Sequence, residues 1–139
     1  MRIRSFLVFV ALFATASPSM AWDQVDIDRL NNREGCPDCD LAGANLSGMD
    51  LSSQDLSGAN LSNANMTGVG LFNSNFSGAN LFNANLRSAN LTGTNFSGAD
   101  LTGAIFTDVH ELNIENINLT NAKMCSTTWI DGTVDNTDC

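Results

Sequence analysis

The stretch from residue 41 to residue 106, LAGANLSGMDLSSQDLSGANLSNANMTGVGLFNSNFSGANLFNANLRSANLTGTNFSGADLTGAIF, decides the fold. The residue before each large apolar position is Asn or Asp in twelve of fourteen cases, and eight of the last thirteen have Ala two places before. A period of five fits neither the 3.6 of a helix nor the 2.0 of a plain strand, so it predicts a repeat architecture. The fourteen central residues are Leu41, Leu46, Leu51, Leu56, Leu61, Met66, Leu71, Phe76, Leu81, Leu86, Leu91, Phe96, Leu101 and Phe106.

Each five-residue unit is interpreted as one straight side followed by one corner. The central residue and the small residue two places before it point inward, because alternate residues of an extended segment share a face. The Asn or Asp between them then faces solvent. The corners fall on residues that tolerate turn geometry: Gly43, Gly48, Gly58, Gly68, Gly78, Gly93, Gly98, Gly103, Asn63, Asn73 and Asn83.

Three segments carry a consensus, A-(N/D)-L-x-x, that resembles the pentapeptide repeat family: Ala44-Asn45-Leu46-Ser47-Gly48, Ala59-Asn60-Leu61 and Ala79-Asn80-Leu81. The resemblance covers about the last hundred residues. It implies an all-β fold, a right-handed quadrilateral β-helix with four pentapeptides per coil. We expect residues 41–106 to form this solenoid, within a fold of nearly five coils with a short N-terminal helical cap.

Stacking the sequence twenty residues at a time places the central residues in four apolar columns. Burying one Leu or Phe contributes about 2 kcal/mol, so these columns are expected to supply most of the driving force. The outward Asn and Asp residues stack in the same way, and identical amides about 4.8 Å apart hydrogen-bond along such a ladder. The asparagines are therefore interpreted as structural.

Residues 1–21 have the features of a secretory signal peptide. Arg2 and Arg4 precede an apolar run, and Ser19-Met20-Ala21 is a small-x-small cleavage site. We expect an exported protein that begins at Trp22, is periplasmic or secreted (or lumenal in thylakoids if the source is cyanobacterial), and does not insert into a membrane. Removal of the signal leaves four basic and fifteen acidic residues, a net charge of −11.

Residues 22–40 are interpreted as an N-terminal cap, which a solenoid needs over its exposed core. Residues 23–33 (DQVDIDRLNNR) predict a short helix. Val25 or Ile27, together with Leu30, should face the first coil. Gly35 is expected to end the helix.

Residues 107–139 are interpreted as a register-shifted final coil and a C-terminal disulfide cap. The register fails after Phe106, because Glu111 would point inward. Residues 107–111 (TDVHE) are therefore predicted to form a surface loop that carries His110. A shift of three restores the pattern, with central residues Ile114, Leu119, Met124, Trp129 and Val134 and inward residues Leu112, Ile117, Ala122, Thr127 and Gly132.

The four cysteines, an even number in an exported chain, predict disulfides. Nearly five coils separate the chain ends by roughly 20 Å, beyond the limit of about 7 Å between bridged Cα atoms. The expected pairs are therefore Cys36–Cys39 and Cys125–Cys139. The Cys-x-x-Cys spacing also occurs in redox enzymes, but no βαβ context surrounds it here, and a four-cysteine zinc site fails on the same distance.

We expect no catalytic residues, cofactor or metal, because the chain has one His and a filled solenoid offers no cavity. The sequence predicts a non-catalytic structural or protein–protein interaction module with an unidentified protein partner, no nucleic-acid ligand and an unspecified oligomeric state. The alternative is DNA mimicry, by which some family members bind topoisomerases and give quinolone resistance; neutral walls and the signal peptide disfavour it. Phe72 and Phe82 are candidate contact residues, expected on opposite sides of the coil.

Overall fold

A computed structural model of the chain describes residues 24–109 and 114–139. The predicted signal peptide (1–21), His110 and Leu112 lie outside the described residues. The regular elements are helix α1 (Gln24–Asn31) and two short strands, β1 (Thr127–Thr128) and β2 (Val134–Asp135), which pair antiparallel. No helix among the described residues is long and apolar enough to cross a membrane.

Most of the chain winds in coils of twenty residues that pair in parallel, one bridge per side. Asp40 pairs with Asn60, Asn60 with Asn80, and Asn80 with Asp100. The N–H of Leu41 donates to the carbonyl oxygen of Asn60 at 2.8 Å, and the N–H of Asn60 donates to that of Cys39 at 2.8 Å. Because each side contributes a single bridged residue, the coils hold together without long strands.

Each corner is a turn closed by a backbone hydrogen bond, as from Ala44 N–H to the Leu41 carbonyl oxygen at 3.0 Å. The third residue of the turn is left-handed, with φ of 70° at Gly43 and 59° at Asn63. This is the position that requires a positive φ in type II turns. Serine also takes it, at Ser53 and Ser88, with φ of 60° and 56°.

The centre of each coil is filled by the residues at the five-residue period. All fourteen central residues from Leu41 to Phe106 are at most 1% exposed. The Phe76 and Phe96 ring centroids lie 5.5 Å apart, and the Phe106 ring stacks on Trp129 at 5.0 Å. The core is therefore continuous from the coils into the C-terminal segment.

Helix α1 lies over the first coil with Leu30 buried and Ile27 half-buried, while Val25 is exposed. The expectation that Gly35 ends this helix is wrong. The N–H of Arg33 bonds to the Leu30 carbonyl oxygen and that of Glu34 to the Arg29 carbonyl oxygen, both at 3.0 Å, with Arg33 itself left-handed (φ 60°). This paired closure is a common way to end a helix, here without glycine.

Gly35 instead lies directly below Asp55, a residue of the first coil. A Cβ at this position would be 2.9 Å from the carbonyl oxygen of Asp55. The next residue, Cys36, donates its N–H to that same oxygen at 2.7 Å. Coil-to-coil hydrogen bonding therefore begins at Cys36, one pentapeptide before the first repeat counted from the sequence.

The final coil pairs with its predecessor at a separation of twenty-three residues: Asn95–Asn118, Asp100–Lys123 and Ile105–Thr128. The loop expected to begin at residue 107 begins later. Thr107 still accepts the Ser88 N–H at 3.0 Å, and Val109 is still buried. The register change falls between Val109 and Ile114, and residues 110–113 lie outside the described residues.

Val134 does not continue the row of central residues, and this expectation is wrong. It is 53% exposed and belongs to strand β2. The Gly132 N–H bonds to the Trp129 carbonyl oxygen and the Trp129 N–H to that of Thr133, both at 2.9 Å, so the chain reverses before residue 134. The β2 strand then covers β1 where another coil would have stacked.

Candidate interaction surface

The outer walls carry ladders of side-chain amides in register with the backbone bridges. The Nδ2 of Asn75 donates to the Oδ1 of Asp55 at 3.0 Å, and the Nδ2 of Asn95 donates to the Oδ1 of Asn75 at 3.0 Å. Each Oδ1 also accepts the N–H two residues on, as Asn75 accepts that of Ser77 at 3.1 Å. Every such amide therefore donates toward the N-terminal end of the solenoid.

Two of these ladders start at an aspartate in the first coil, Asp40 and Asp55. Asn60 donates to Asp40 at 3.0 Å, as Asn75 does to Asp55. The first residue of such a ladder has no side chain below it among the described residues to which it could donate, since Gly35 lies below Asp55, so a carboxylate serves as well as an amide. The Ser57 backbone N–H and hydroxyl, with the Asn75 amide, hold the pKa of Asp55 below its usual value.

The carboxylates along the coils are few, and two are in ion pairs. Arg33 Nη1 lies 2.9 Å from Asp50 Oδ2, and Lys123 Nζ lies 3.6 Å from Asp100 Oδ2. The pKa of Asp50 is held well below its usual range by hydrogen bonds from the Ser52 side chain and from Arg33. These carboxylates stay ionised at neutral pH, and the walls between them are lined by neutral amides.

The two exposed aromatic side chains named from the sequence are not brought together. Phe72 is 46% exposed and Phe82 is 42% exposed. They follow central residues ten positions apart, which is half a coil, so they lie on opposite walls. Together they form no single apolar patch.

The cysteines form two disulfides, Cys36–Cys39 and Cys125–Cys139, with Cα atoms 5.4 and 4.9 Å apart. Cys36 occupies a central position of the coil and Cys39 the small inward position, and both are buried. Among the described residues, one group of potential metal ligands lies within 4.8 Å: Asp26, Cys36 and Cys39. The bond between the two sulfur atoms removes the thiolates that such a site would need.

A column of buried polar residues was not predicted from the sequence. Gln54, Ser74 and Thr94 occupy the inward position that Ala fills elsewhere, and all three are buried. The hydroxyls of Ser74 and Thr94 both donate to the Leu71 carbonyl oxygen, at 2.6 and 2.9 Å. The signal was present in the sequence, since the three residues are polar and twenty positions apart.

Gln54 in this column joins helix α1 to the coils. Its Nε2 donates to the carbonyl oxygen of Leu30 at 3.1 Å, near the end of the helix. Arg33, just beyond the helix, donates to the Ser52 carbonyl oxygen at 3.0 Å as well as to Asp50. Polar contacts therefore fasten the N-terminal segment on two walls of the first coil.

A family model for pentapeptide repeats matches the chain in eight copies, over residues 38–69 and 71–108. The chain belongs to the pentapeptide repeat family. Pentapeptide repeat proteins fold as right-handed quadrilateral β-helices, and they are generally structural or interaction proteins rather than enzymes. Comparison with curated proteins gave no match.

Several solved structures of pentapeptide repeat proteins are similar to this chain. HetL, involved in heterocyst differentiation regulation in the cyanobacterium Nostoc sp. strain PCC 7120, is 26% identical over 73% of this chain and 51% of HetL, with a TM-score of 0.47. Rfr23 from the cyanobacterium Cyanothece 51142 is 37% identical over 68% of this chain and 63% of Rfr23, with a TM-score of 0.43. QnrB1, a plasmid-mediated fluoroquinolone resistance protein, is 22% identical over 71% of this chain and 76% of QnrB1, with a TM-score of 0.38. The chain thus spans about half of HetL and less than two thirds of Rfr23.

Proposed function

We propose that this pentapeptide repeat protein is a non-catalytic, exported module that acts through contacts made by its walls with a protein partner. The observation that carries the proposal is the filled interior: the fourteen central residues from Leu41 to Phe106 are at most 1% exposed, and the inward positions between them are buried except for Met49, which is half-buried. Such an interior leaves the outer walls as the surface on which contacts are made. The stacked coils give those walls a fixed geometry, which suits a scaffold.

Export is supported by two independent features of the chain. Residues 1–21 have the sequence of a signal peptide, and the described residues contain two disulfides and no free cysteine. Disulfides persist in oxidising compartments outside the cytosol. The proposed location is the periplasm or the medium, or the thylakoid lumen in a cyanobacterial source.

DNA mimicry is the alternative function, and the wall charges argue against it. Duplex DNA carries one negative charge for about every 1.7 Å of its axis. Along the coils of this chain, amides occupy most outward positions, and Asp50 and Asp100 are each paired with a cation. Among the residues that directly precede the central residues from Leu41 to Phe106, the two other carboxylates, Asp40 and Asp55, both lie in the first coil.

The experiment that separates the two functions is a supercoiling assay with a bacterial type II topoisomerase. The purified chain is expected to leave supercoiling unchanged at concentrations at which a DNA mimic inhibits. If the purified chain inhibits supercoiling and a variant with Asp40→Lys and Asp55→Lys inhibits equally, the inhibition comes from another surface. Inhibition lost on that reversal would establish the mimic and overturn the proposal.

Export and partner binding are tested in the source cell. Fractionation followed by mass spectrometry of the N-terminus should find the chain outside the cytosol, starting at Trp22. A photo-crosslinker placed at Ser62 or Ser77, on different walls, should give a discrete adduct from one wall and none from the other. Cytosolic retention of an uncleaved chain, or equal adducts from every wall, would contradict the proposal.

A further inference from the structure

One amide ladder is interrupted at Gly70. The backbone bridges run without a break from Asp50 to Gly70 and from Gly70 to Asn90, so the coils stack normally there. Glycine is not required by the backbone, because Gly70 is not among the residues with positive φ. A Cβ at this position would make only ordinary contacts, 3.4 Å from Asp50 Oδ1 and 3.5 Å from Ser52 Oγ. Neither conformation nor space therefore accounts for the glycine.

The carboxylate of Asp50, one coil below Gly70, lacks one hydrogen bond that the equivalent carboxylate of Asp55 receives. Asp50 Oδ1 accepts the N–H of Ser52 at 3.0 Å, in the same way that Asp55 Oδ1 accepts that of Ser57 at 3.0 Å. The Ser52 side chain also bonds to Asp50, as the Ser57 side chain does to Asp55, so the two carboxylates match in these contacts. Asp55 Oδ1 also accepts an amide proton from Asn75 in the coil above, whereas the coil above Asp50 offers glycine. Arg33 occupies only the other oxygen of Asp50, Oδ2, at 2.9 Å.

The amide above Gly70 has a donor without an acceptor among the described residues. Asn90 Oδ1 accepts the Thr92 N–H at 3.2 Å, which fixes the orientation of the side chain. In the ladder on the next wall, Asn95 in the same orientation gives its Nδ2 proton to Asn75 at 3.0 Å. Asn90 is bridged to Gly70, which has no side chain that could accept this proton. An acceptor below and a donor above therefore face each other across one missing rung.

The group that complements this arrangement is an amide. Its N–H and C=O point in opposite directions, so one amide can donate to Asp50 and accept from Asn90, as an asparagine at residue 70 would. Phe72, two residues further along the chain, is the second residue of the turn that follows this side and is 46% exposed. An exposed apolar ring therefore lies two residues along the chain from the missing side chain.

We propose that the missing rung at Gly70 binds the acetamido group of an N-acetylated amino sugar, with the amide between Asp50 and Asn90 and the sugar ring against Phe72. A sugar fits this site better than a protein surface does, because Phe72 is the single exposed aromatic on its wall within residues 24–109 and 114–139, and Phe82 lies on the opposite one. A standard protein interface buries about 800 Å² on each partner, far more than one ring. The site goes beyond the protein-contact role proposed above and does not depend on it.

The proposal is tested by titrating the ¹⁵N-labelled chain with the N-acetylglucosamine trimer and, as a matched ligand, the glucose trimer. The two sugars share ring size and linkage and differ at the acetamido groups. We expect the backbone amide of Gly70 and the side-chain amide of Asn90 to shift with the acetylated trimer. The Kd of the glucose trimer should be at least about tenfold higher, which corresponds to about 1.4 kcal/mol.

Variants separate the ladder from the ring. Gly70→Asn completes the ladder and should abolish binding while raising the thermal midpoint. Asn90→Asp keeps the oxygen that accepts the Thr92 N–H and removes only the donor, and it should weaken binding at least about tenfold. Phe72→Ala should weaken binding, whereas Phe82→Ala, on the wall where Asn80 bonds to Asn60 at 3.3 Å, should not.

Three results would overturn the proposal. Equal affinity for the two trimers would show that the acetamido group is not recognised. Undiminished binding by a folded Gly70→Asn or Asn90→Asp variant would place the ligand elsewhere. Shifts at Gly70 produced by a glutamine-containing peptide but not by the acetylated trimer would assign the site to a protein side chain.

Discussion

Asn75→Asp is expected to destabilise the solenoid by changing one side-chain donor. Asn75 Oδ1 accepts from Asn95 at 3.0 Å and from the Ser77 N–H at 3.1 Å, and an aspartate keeps both bonds. Only the Nδ2 donation to Asp55, at 3.0 Å, is lost. In its place the variant sets a second carboxylate one coil, about 4.8 Å, from Asp55.

Two terms set the size of the effect. A hydrogen bond to a charged acceptor contributes about 1.5–3 kcal/mol. Repulsion between two unit charges at that separation is about 0.9 kcal/mol in water and about 3.5 kcal/mol at an effective dielectric constant of about 20. The lower value applies because Asp55 is exposed on the wall. The free energy of unfolding should therefore fall by about 2–4 kcal/mol.

Urea unfolding followed by circular dichroism measures the loss, with Asn65→Asp as the matched control. Asn65 donates to the neutral Asn45 at 3.2 Å, so the control loses a hydrogen bond of about 1 kcal/mol without creating a carboxylate pair. In 1 M salt the Debye length shortens to about 3 Å and the difference between the variants should narrow. Equal losses, or a difference that salt leaves unchanged, would refute the ladder as the origin of the effect.

The pH dependence has a defined sign. The pKa of Asp55 is lowered from 3.8 by Ser57 and Asn75, so its contribution to wild-type stability is present above pH 3.8 and lost as the pH falls through the lowered pKa. In Asn75→Asp, repulsion raises the pKa of the pair, so the destabilisation fades as acid protonates it. The gap between wild type and variant should therefore shrink between pH 7 and pH about 3. A gap that widens in acid would contradict this assignment.

Three further predictions concern the core and the two ends. Gly35→Ala should lower the free energy of unfolding by about 2–4 kcal/mol, because the added Cβ meets the Asp55 carbonyl oxygen. Gly43→Ala, at the same φ of 70° but with nothing within 4 Å, should lower it by about 1 kcal/mol, and equal shifts in thermal midpoint for the two variants would contradict the contact. Leu86→Arg should prevent folding by burying an unpaired charge, and a soluble variant with an unchanged circular dichroism spectrum would argue against that. Cys125→Ser should remove about 3 kcal/mol from the C-terminal segment, so hydrogen exchange should rise after residue 114 and not in the coils; uniform acceleration would refute this modularity.

The repeat itself could be recognised from the sequence because one inward residue recurs at a fixed spacing. Leu41 and Phe106, at the two ends of the periodic stretch, are as deeply buried as the residues between them. The shift of three before Ile114 could also be found, since it alone keeps Leu119 and Trp129 inward. Periodicity carries such information because it is a property of many residues together.

The end of helix α1 and the reversal of the chain before Val134 each depend on a few specific hydrogen bonds, which periodicity does not predict. The sequence suggests that Gly35, four residues after the last residue of helix α1, ends the helix. The hydrogen bonds of the Arg33 and Glu34 N–H groups end it before Gly35. Val134 fits the shifted register, but the turn at Gly132 reverses the chain first. The missing rung at Gly70 has meaning only once the stacking partner above and below each residue is known.

The one-way course of the amide protons limits how such a wall can lengthen in evolution. Duplicating twenty residues from the interior gives the new coil acceptors beneath it and donors above it. If the first coil were duplicated and inserted among later coils, the carboxylate oxygens of its copies of Asp40 and Asp55 would face the Oδ1 atoms of the coil before them, with no amide proton between them. Where an acid does occur mid-stack, at Asp100, Lys123 supplies the positive charge from the following coil. We therefore expect such solenoids to lengthen by duplication of interior coils, and the aspartates to remain in the first coil.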